Sequence, residues 1–200
     1  WMVATKSPLT GGLLRSTAGG GFGAEVKTAG YDVLIVEGRA EKPVYIVIQD
    51  DQVEVKDARH LTGMLTHETS AAIVNELNDE RFKIAVIGPS GEKLVRFAAI
   101  VDGRRTAARG GVGAVMGSKN IKAIAVRGTK RVAVADPEKL IAITRKQAEI
   151  LNKEAKYAGF RHLGTATAVG FCHELGIYPV KNFQDGVLEN VQGRLTGEKV

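Results

Sequence analysis

Gly20-Gly21-Phe22-Gly23-Ala24 and Val33-Leu34-Ile35-Val36-Glu37-Gly38 return 90 positions later as Gly110-Gly111-Val112-Gly113-Ala114 and Ala123-Ile124-Ala125-Val126-Arg127-Gly128. Gly20, Gly21, Gly23, Ala24, Val36 and Gly38 recur as identities, and no gap is needed. Each copy runs from a glycine loop through a small-residue segment to an apolar strand closed by glycine. Shared turn chemistry alone would produce part of this match. Duplication of one α+β unit explains more of it. A duplicated unit sets two equivalent loops across a pseudo-twofold axis, which suits a ligand that is itself nearly two-fold.

Outward from the repeat, the first half of the chain is strand-like. Tyr31–Gly38 is an apolar run closed by glycine, and Val44–Ile48 with Val53–Val55 reads as a hairpin across a polar turn. His67–Leu77 has helical spacing. Phe82–Ile87, Leu94–Val101, Ile121–Val126 and Val132–Ala135 read as strands, with Gly88-Pro89-Ser90-Gly91 as a turn. Asp136-Pro137 opens a helix as N-cap and first helical residue, and Leu140, Ile143, Ala148 and Leu151 are its expected buried stripe. The texture then shifts to glycine, threonine and aromatics. Residues 1–135 are expected to form one domain and 136–200 the truncated start of a helical second one.

With 44% hydrophobic and 25% charged residues, the chain can build a core and is not a disordered type. A net charge of +6 suits nucleic acid, an acidic partner or phosphate groups. Aromatics make up 6% and do not interleave with basic residues, which argues against base stacking and nucleic-acid binding. One cysteine excludes an internal disulfide and suits a reducing cytoplasm. No apolar run is long enough to span a membrane. Trp1–Lys6 reads as the interior of a strand rather than a leader, so both ends look cut from a longer chain.

The chemistry lies in two loops, Arg15-Ser16-Thr17-Ala18-Gly19-Gly20-Gly21-Phe22-Gly23 and Arg104-Arg105-Thr106-Ala107-Ala108-Arg109-Gly110-Gly111-Val112-Gly113. Glycines let backbone N–H groups approach a phosphate with no side chain in the way. Arg15, Arg105 and Arg109 can add charge-assisted hydrogen bonds, and carbonyls beside the phosphates would suit Mg²⁺. Neither loop has the Gly-x4-Gly-Lys-Ser/Thr pattern, and Gly19-x-Gly21-x-Gly23 does not fit the dinucleotide fingerprint. The alternative is that the glycines only make tight turns and close packing contacts.

A longer series resembles one family. It comprises Thr5-Lys6-Ser7-Pro8-Leu9-Thr10-Gly11, Phe22-Gly23-Ala24-Glu25-Val26-Lys27, Ala29-Gly30-Tyr31-Asp32, Val36-Glu37-Gly38, Ala40-Glu41-Lys42-Pro43-Val44-Tyr45-Ile46 and Ile87-Gly88-Pro89-x-Gly91-Glu92. The longest block is Arg109-Gly110-Gly111-Val112-Gly113-Ala114-Val115-Met116-Gly117-Ser118-Lys119-Asn120, followed by Lys122-Ala123-Ile124-Ala125-Val126. In this order they resemble the aldehyde:ferredoxin oxidoreductase family of tungsten-pterin enzymes. Gly164-Thr165 and Tyr178-Pro179-Val180-Lys181-Asn182-Phe183 resemble the opening of that family's second domain.

The resemblance implies an α+β fold: a duplicated unit whose two mainly antiparallel β-sheets form the base for a bis-pterin cofactor, followed by the start of a helical domain. It implies tungsten held by two pterins, Mg²⁺ between their phosphates and a [4Fe-4S] cluster. The reaction would be oxidation of aldehydes to carboxylic acids, with ferredoxin as electron acceptor, in a cytoplasmic enzyme that is homo-oligomeric when complete. By carry-over, Thr17, Ala18, Gly19, Gly20, Arg105, Thr106, Ala107 and Arg109 would hold the cofactor, and the carbonyls of Thr17 and Thr106 would bind the metal. The family's catalytic residues and cluster ligands, and an arginine linking pterin to cluster, would lie outside these 200 residues.

Two positions depart from the family. Thr17 replaces a frequent Asn, which a carbonyl ligand tolerates. Ala108 replaces a common Gly, which would strain the loop if that position needed a positive φ. Relatives with the same cofactor serve other low-potential reactions such as aromatic-ring reduction, and a non-catalytic phosphate- or nucleic-acid-binding module is the reading of another class.

Single residues outside the loops read as structural. Cys172 is expected to be a buried thiol, and His60, His67, His162 and His173 surface or supporting residues. Asp32 and Glu37 are expected to pair at a strand end. Lys119 and Asn120 lie between a cofactor role and a helix-cap role. Lys139, Arg145, Lys146 and Lys153 are expected to form a solvated helix face.

Overall fold

The computed structural model describes residues 1–188 and Leu195. The chain divides into two compact units, 1–133 and 134–200. In the first, β1 (Met2–Lys6) and β2 (Leu13–Thr17) form an antiparallel hairpin leading into α1 (Phe22–Thr28). A six-stranded sheet follows, from β3 (Val44–Gln49), β4 (Gln52–Asp57), β5 (Lys83–Val86), β6 (Ile100–Asp102), β7 (Arg105–Ala107) and β8 (Ile121–Arg127). Its order is β4-β3-β8-β5-β6-β7, and every pairing is antiparallel except β3 with β8. Helices α2 (Thr66–Leu77), α3 (Pro89–Glu92) and α4 (Val112–Ser118) complete the unit. It is therefore an α+β fold with two mainly antiparallel sheets.

Burial on both faces explains the unbroken apolar runs of the central strands. On one face, Val44, Ile48, Ala85 and Val126 pack with Phe22 of α1 and with Val112 and Met116 of α4. On the other, Tyr45, Val47, Ile84, Val86, Ala123 and Ala125 pack with Leu61 and with Ile73 of α2. Asp50, at φ 50°, turns the β3–β4 hairpin.

The repeat is visible in part. The small-residue segments of the two copies form helices, α1 and α4, at the offset of 90, each behind the last strand of a hairpin, β2 or β7. The strands after them differ. Ala123–Val126 lies in β8 at the centre of the six-stranded sheet, whereas Val33–Val36 joins neither sheet. Leu34 and Val36 still pack on the core beside α1, while Val33 and Ile35 are 70% and 81% exposed. The alternation of a strand is present without a strand partner among the described residues.

Three further expectations are corrected. The strand expected over Leu94–Val101 begins only at Ile100, because the chain before it passes beneath α4. Cβ atoms at Gly111 and Gly113 would lie 2.2 and 2.4 Å from the carbonyl oxygens of Arg96 and Ala99, a crossing too close for a neighbouring strand. Gly88–Gly91 continues into the single turn of α3, with Pro89 at its start. Val132–Ala135 is not a strand.

The second unit holds α5 (Pro137–Lys153), α6 (Ala158–Leu163) and α7 (Val169–Glu174). Asp136 caps α5 by accepting the Lys139 N–H at 2.9 Å. The apolar stripe of α5 is not buried: Leu140, Ile143 and Leu151 are each 49% exposed. A unit this short has little surface with which to cover it. Lys139, Arg145, Lys146 and Lys153 are exposed as expected.

Candidate functional site

Two buried serines hold the two loops together. Ser16 Oγ donates to the Ala108 carbonyl at 2.6 Å, and Ser7 Oγ donates to the Gly110 carbonyl at 2.7 Å. The β1–β2 hairpin is thereby fixed to the loop after β7, and Thr17 and Thr106 each end up on an edge strand.

The register sets where their backbones point. Trp1 and Ala18 exchange both hydrogen bonds, at 2.8 and 2.9 Å, so the adjacent Met2–Thr17 pair is a non-hydrogen-bonded one. The N–H and C=O of Thr17 are therefore directed away from β1. Asp102 and Arg105 close a two-residue turn with Gly103 at φ 56°, which makes Val101–Thr106 non-hydrogen-bonded as well. The Thr106 backbone faces away from β6. The two carbonyls expected to bind a metal are free of their ladders.

The first loop has the form of an anion nest. Gly20 is left-handed at φ 90°, and Gly21 follows in the right-handed region at φ −87°. Successive N–H groups of opposite hand converge on one point. Among the described residues, the N–H groups of Gly19, Gly20 and Gly21 have no acceptor. The next N–H, that of Phe22, is taken by Asp102 Oδ2 at 3.0 Å. A Cβ at Gly20 would lie 2.2 Å from the same oxygen.

The glycines of the second loop do different work. Cβ atoms at Gly110 and Gly111 would strike the Leu14 side chain at 2.5 Å and the Arg96 carbonyl at 2.2 Å. These are packing glycines, so the plain structural reading applies there. Arg109, Gly110 and Gly111 carry the left-handed turn, at φ 63°, 62° and 89°. Ala108 is not in the left-handed region, and its replacement of the family's glycine brings no backbone strain.

Cations surround the nest. The stem of Arg105 lies 3.8 Å from a Cβ placed on Gly19, and that of Lys83 lies 3.2 Å from one placed on Gly21. An open groove of about 720 Å³ is lined by these two cations, Arg104, Gly20, Gly21 and Asp102, with Val74 and Phe82 as part of its wall. Thr17, Thr106 and Arg109 are outside that lining.

The expected site residues therefore divide. Gly19, Gly20 and Arg105 come together, and Thr17 and Thr106 offer free backbone groups. Ala18 has spent its N–H and C=O on Trp1. Ala107 has its methyl in the core and its backbone opposite Ile100. Lys83 and Asp102 were missed: no sequence spacing links them to the first loop, because β5 and β6 reach it only through the sheet.

Other residues have structural roles. Lys119 Nζ and Asn120 Nδ2 donate to the carbonyls of Gly38 and Ala40, and Asn120, at φ 58°, terminates α4. Asp32 pairs with Lys27. His60 lies 3.3 Å from Glu76. Cys172 is half-buried rather than fully buried. Among the described residues no cluster of three or more His, Cys, Asp or Glu side chains could hold a metal ion. No described helix is long and apolar enough to cross a membrane.

Comparison with known proteins gives the lineage. Residues 1–128 match the family described as aldehyde ferredoxin oxidoreductase, N-terminal domain. The chain is 54% identical over 187 residues to the tungsten-containing aldehyde ferredoxin oxidoreductase of Pyrococcus furiosus, covering 92% of this chain and 31% of that protein. It is 52% identical to the enzyme of that name from Thermococcus kodakarensis, covering 94% and 31%. It is 35% identical to the WOR-like subunit of an aliphatic sulfonate oxidoreductase of P. furiosus, covering 94% and 32%. Among solved structures it resembles the active site complex BamBC of benzoyl coenzyme A reductase in complex with 1,5 dienoyl-CoA. The TM-score is 0.74 and the identity 44%, over 76% of this chain and 23% of that one. The chain spans about a third of the length of the curated relatives it matches. It belongs to the aldehyde ferredoxin oxidoreductase family, whose N-terminal domain is formed by residues 1–128.

Proposed function

We propose that this chain is the phosphate-holding part of a tungsten-pterin oxidoreductase that converts aldehydes to carboxylic acids and passes electrons through a [4Fe-4S] cluster to ferredoxin. One observation carries the reading: the N–H groups of Gly19, Gly20 and Gly21 are free, in a nest flanked by Arg105 and Lys83. Unpaired donors beside several cations, with Asp102 the one carboxylate in the groove lining, suit a further anion. The carbonyls of Thr17 and Thr106, directed away from their ladders, suit a hard cation, and Mg²⁺ between two phosphates fits that donor set.

The residues of this chain bind and orient. Gly19–Gly21 would receive one phosphate end, with the Arg105 guanidinium neutralising charge beside it. Arg105 and Thr106 would face the other end, and Arg109 would add charge from the following turn. Ser16 and Ser7 keep the two loops in register. When bound, the tungsten-pterin group supplies the two-electron chemistry at the aldehyde carbon. The partners of this reading are the remaining domains of the same polypeptide, ferredoxin and a small aldehyde, in a cytoplasmic homo-oligomer without nucleic acid or membrane contact.

The test is anaerobic expression of the full-length polypeptide with tungstate. Tungsten and pterin per chain are then measured for the native protein and for Gly19→Val, which adds bulk where the phosphate would sit. Loss of both at equal folded yield is expected, and unchanged content would overturn the reading. A second reaction is favoured by the likeness to the benzoyl coenzyme A reductase subunits: the same cofactor serving aromatic-ring reduction. Viologen-linked assays with an aldehyde and with an aromatic thioester separate the two.

A further inference from the structure

We propose that Lys83 is a second phosphate-neutralising cation of the first glycine loop, set opposite Arg105. The proposal rests on the phosphate reading above and adds a residue to it.

Gly21 has an ordinary right-handed backbone, so its conformation does not require glycine. Its surroundings are close. The Cγ, Cδ and Cε atoms of Lys83 lie 3.4, 3.2 and 3.2 Å from where a Cβ on Gly21 would stand. The lysine stem occupies the space that the missing side chain leaves. On the other side, the stem of Arg105 lies against Gly19 and Gly20. The three free N–H groups are thus bracketed by a cation from β5 and a cation from β7.

Lys83 is half-buried, on an interior strand, between β8 and β6. Among the described residues its ammonium has no carboxylate within 4.0 Å and no hydrogen-bond acceptor. The other half-buried or buried cations of this sheet are paired. Lys122 meets Glu92, and Arg127 meets Glu25 at 2.7 Å. The carboxylate beside the nest, Asp102, spends an oxygen on the Phe22 N–H. Lys83, Arg104, Arg105, Gly20 and Gly21 therefore line one groove whose lining holds a single opposing charge, Asp102. Such a cluster repels itself until an anion enters, and a lysine with a packed stem and free head is suited to meet it.

The experiment uses the full-length protein freed of cofactor, with inorganic phosphate as the probe. Phosphate affinity is measured by thermal shift and calorimetry for Lys83→Met, Lys83→Arg and Lys93→Met, the last removing an equal charge from an exposed position. Lys83→Met is expected to weaken phosphate about tenfold or more, as for loss of a charge-assisted hydrogen bond, while Lys83→Arg largely restores it. Pterin retained per chain should follow the same order. Equal affinities for Lys83→Met and Lys93→Met would overturn the proposal. Arg105→Met separates the two readings: if it weakens phosphate and Lys83→Met does not, only the lysine assignment falls. If neither variant changes affinity, the phosphate cradle itself falls.

Discussion

Ser16 reaches across 92 positions of sequence to place its hydroxyl 2.6 Å from the carbonyl oxygen of Ala108. Ser7 repeats the contact at Gly110. Both serines are nearly inaccessible, at 7% and 2% exposure, so their hydroxyls depend on these carbonyls for an acceptor. The two loops of the repeat are therefore one unit mechanically.

Removing either tether should cost stability and loosen the cradle together. Ser16→Ala removes the hydrogen bond to the Ala108 carbonyl, a loss of about 1 kcal/mol. Denaturant unfolding of the full-length protein measures the first effect, and cofactor content after gel filtration the second. A Ser16→Ala variant with native stability would show that water replaces the hydroxyl.

Gly19→Val should deplete cofactor far more than Gly12→Val. Neither position has a left-handed φ. A Cβ at Gly12 meets only Thr10 Oγ1 at 3.7 Å, whereas one at Gly19 projects beside Arg105 at the nest. The comparison cancels the general cost of losing a glycine in this hairpin. Equal pterin content in the two variants would remove Gly19 from the site.

Asp102 should be more important as an acceptor than as a charge. Its Oδ2 holds the Phe22 N–H at 3.0 Å. Asp102→Asn keeps an oxygen there and should be tolerated, while Asp102→Ala leaves the start of α1 uncapped, at a cost of about 1–3 kcal/mol. Amide hydrogen exchange at Phe22 reads the difference directly. Equal protection in both variants would assign the first turn of α1 to packing alone.

These residues show what the sequence makes legible. The constant offset of 90 relates α1 to α4 residue for residue, but the sequence shows there only glycine loops and small-residue segments, not helices. The β3–β4 hairpin is local and legible. Lys83 and Asp102 are invisible to spacing, since their proximity to Gly19–Gly21 is made by strand order and not by sequence distance. The family resemblance supplied Thr17 and Thr106, but only the register explains why their carbonyls are free. The register also pairs Ala18 with Trp1 and sets Ala107 opposite Ile100. Leu94–Val101 failed as a strand because its apolar residues serve a close backbone crossing, which has the composition of a strand without the pairing.

Acid stability should change in a narrow window. The Arg81 side chain and its backbone N–H both donate to Asp79, holding its carboxyl down to about 2 from the usual 3.8. Its folded-state pKa is depressed, so its contribution is complete above about pH 4 and is lost as pH falls towards 2. Asp57 shifts in the same direction beside Arg59 and adds to the same slope. Unfolding midpoints should be flat from pH 7 to about 4 in this respect and then decline. Asp79→Asn should make that decline shallower, and an unchanged slope would remove Asp79 from it.

The 200 residues expressed by themselves should self-associate, and the open edge at Val33–Val36 should be a principal cause. Leu34 and Val36 are packed on the core, so the segment is held in place. Val33 and Ile35 face outward at 70% and 81% exposure, and the backbone between them joins neither sheet. An ordered, apolar, unpaired stretch is a template for pairing with another chain. Leu13, at 92% exposure, and the half-exposed stripe of α5 add apolar surface of the kind that drives association. Two lysines on the outward positions, Val33→Lys with Ile35→Lys, should lower association without touching the core. Val53→Lys with Val55→Lys on the exposed face of β4 adds the same charge elsewhere and should lower it less. Sedimentation velocity over a concentration series measures all three proteins. A native fragment that stays monomeric, or a β4 variant that dissociates as fully as the Val33/Ile35 variant, would show that this edge is not what brings the copies together.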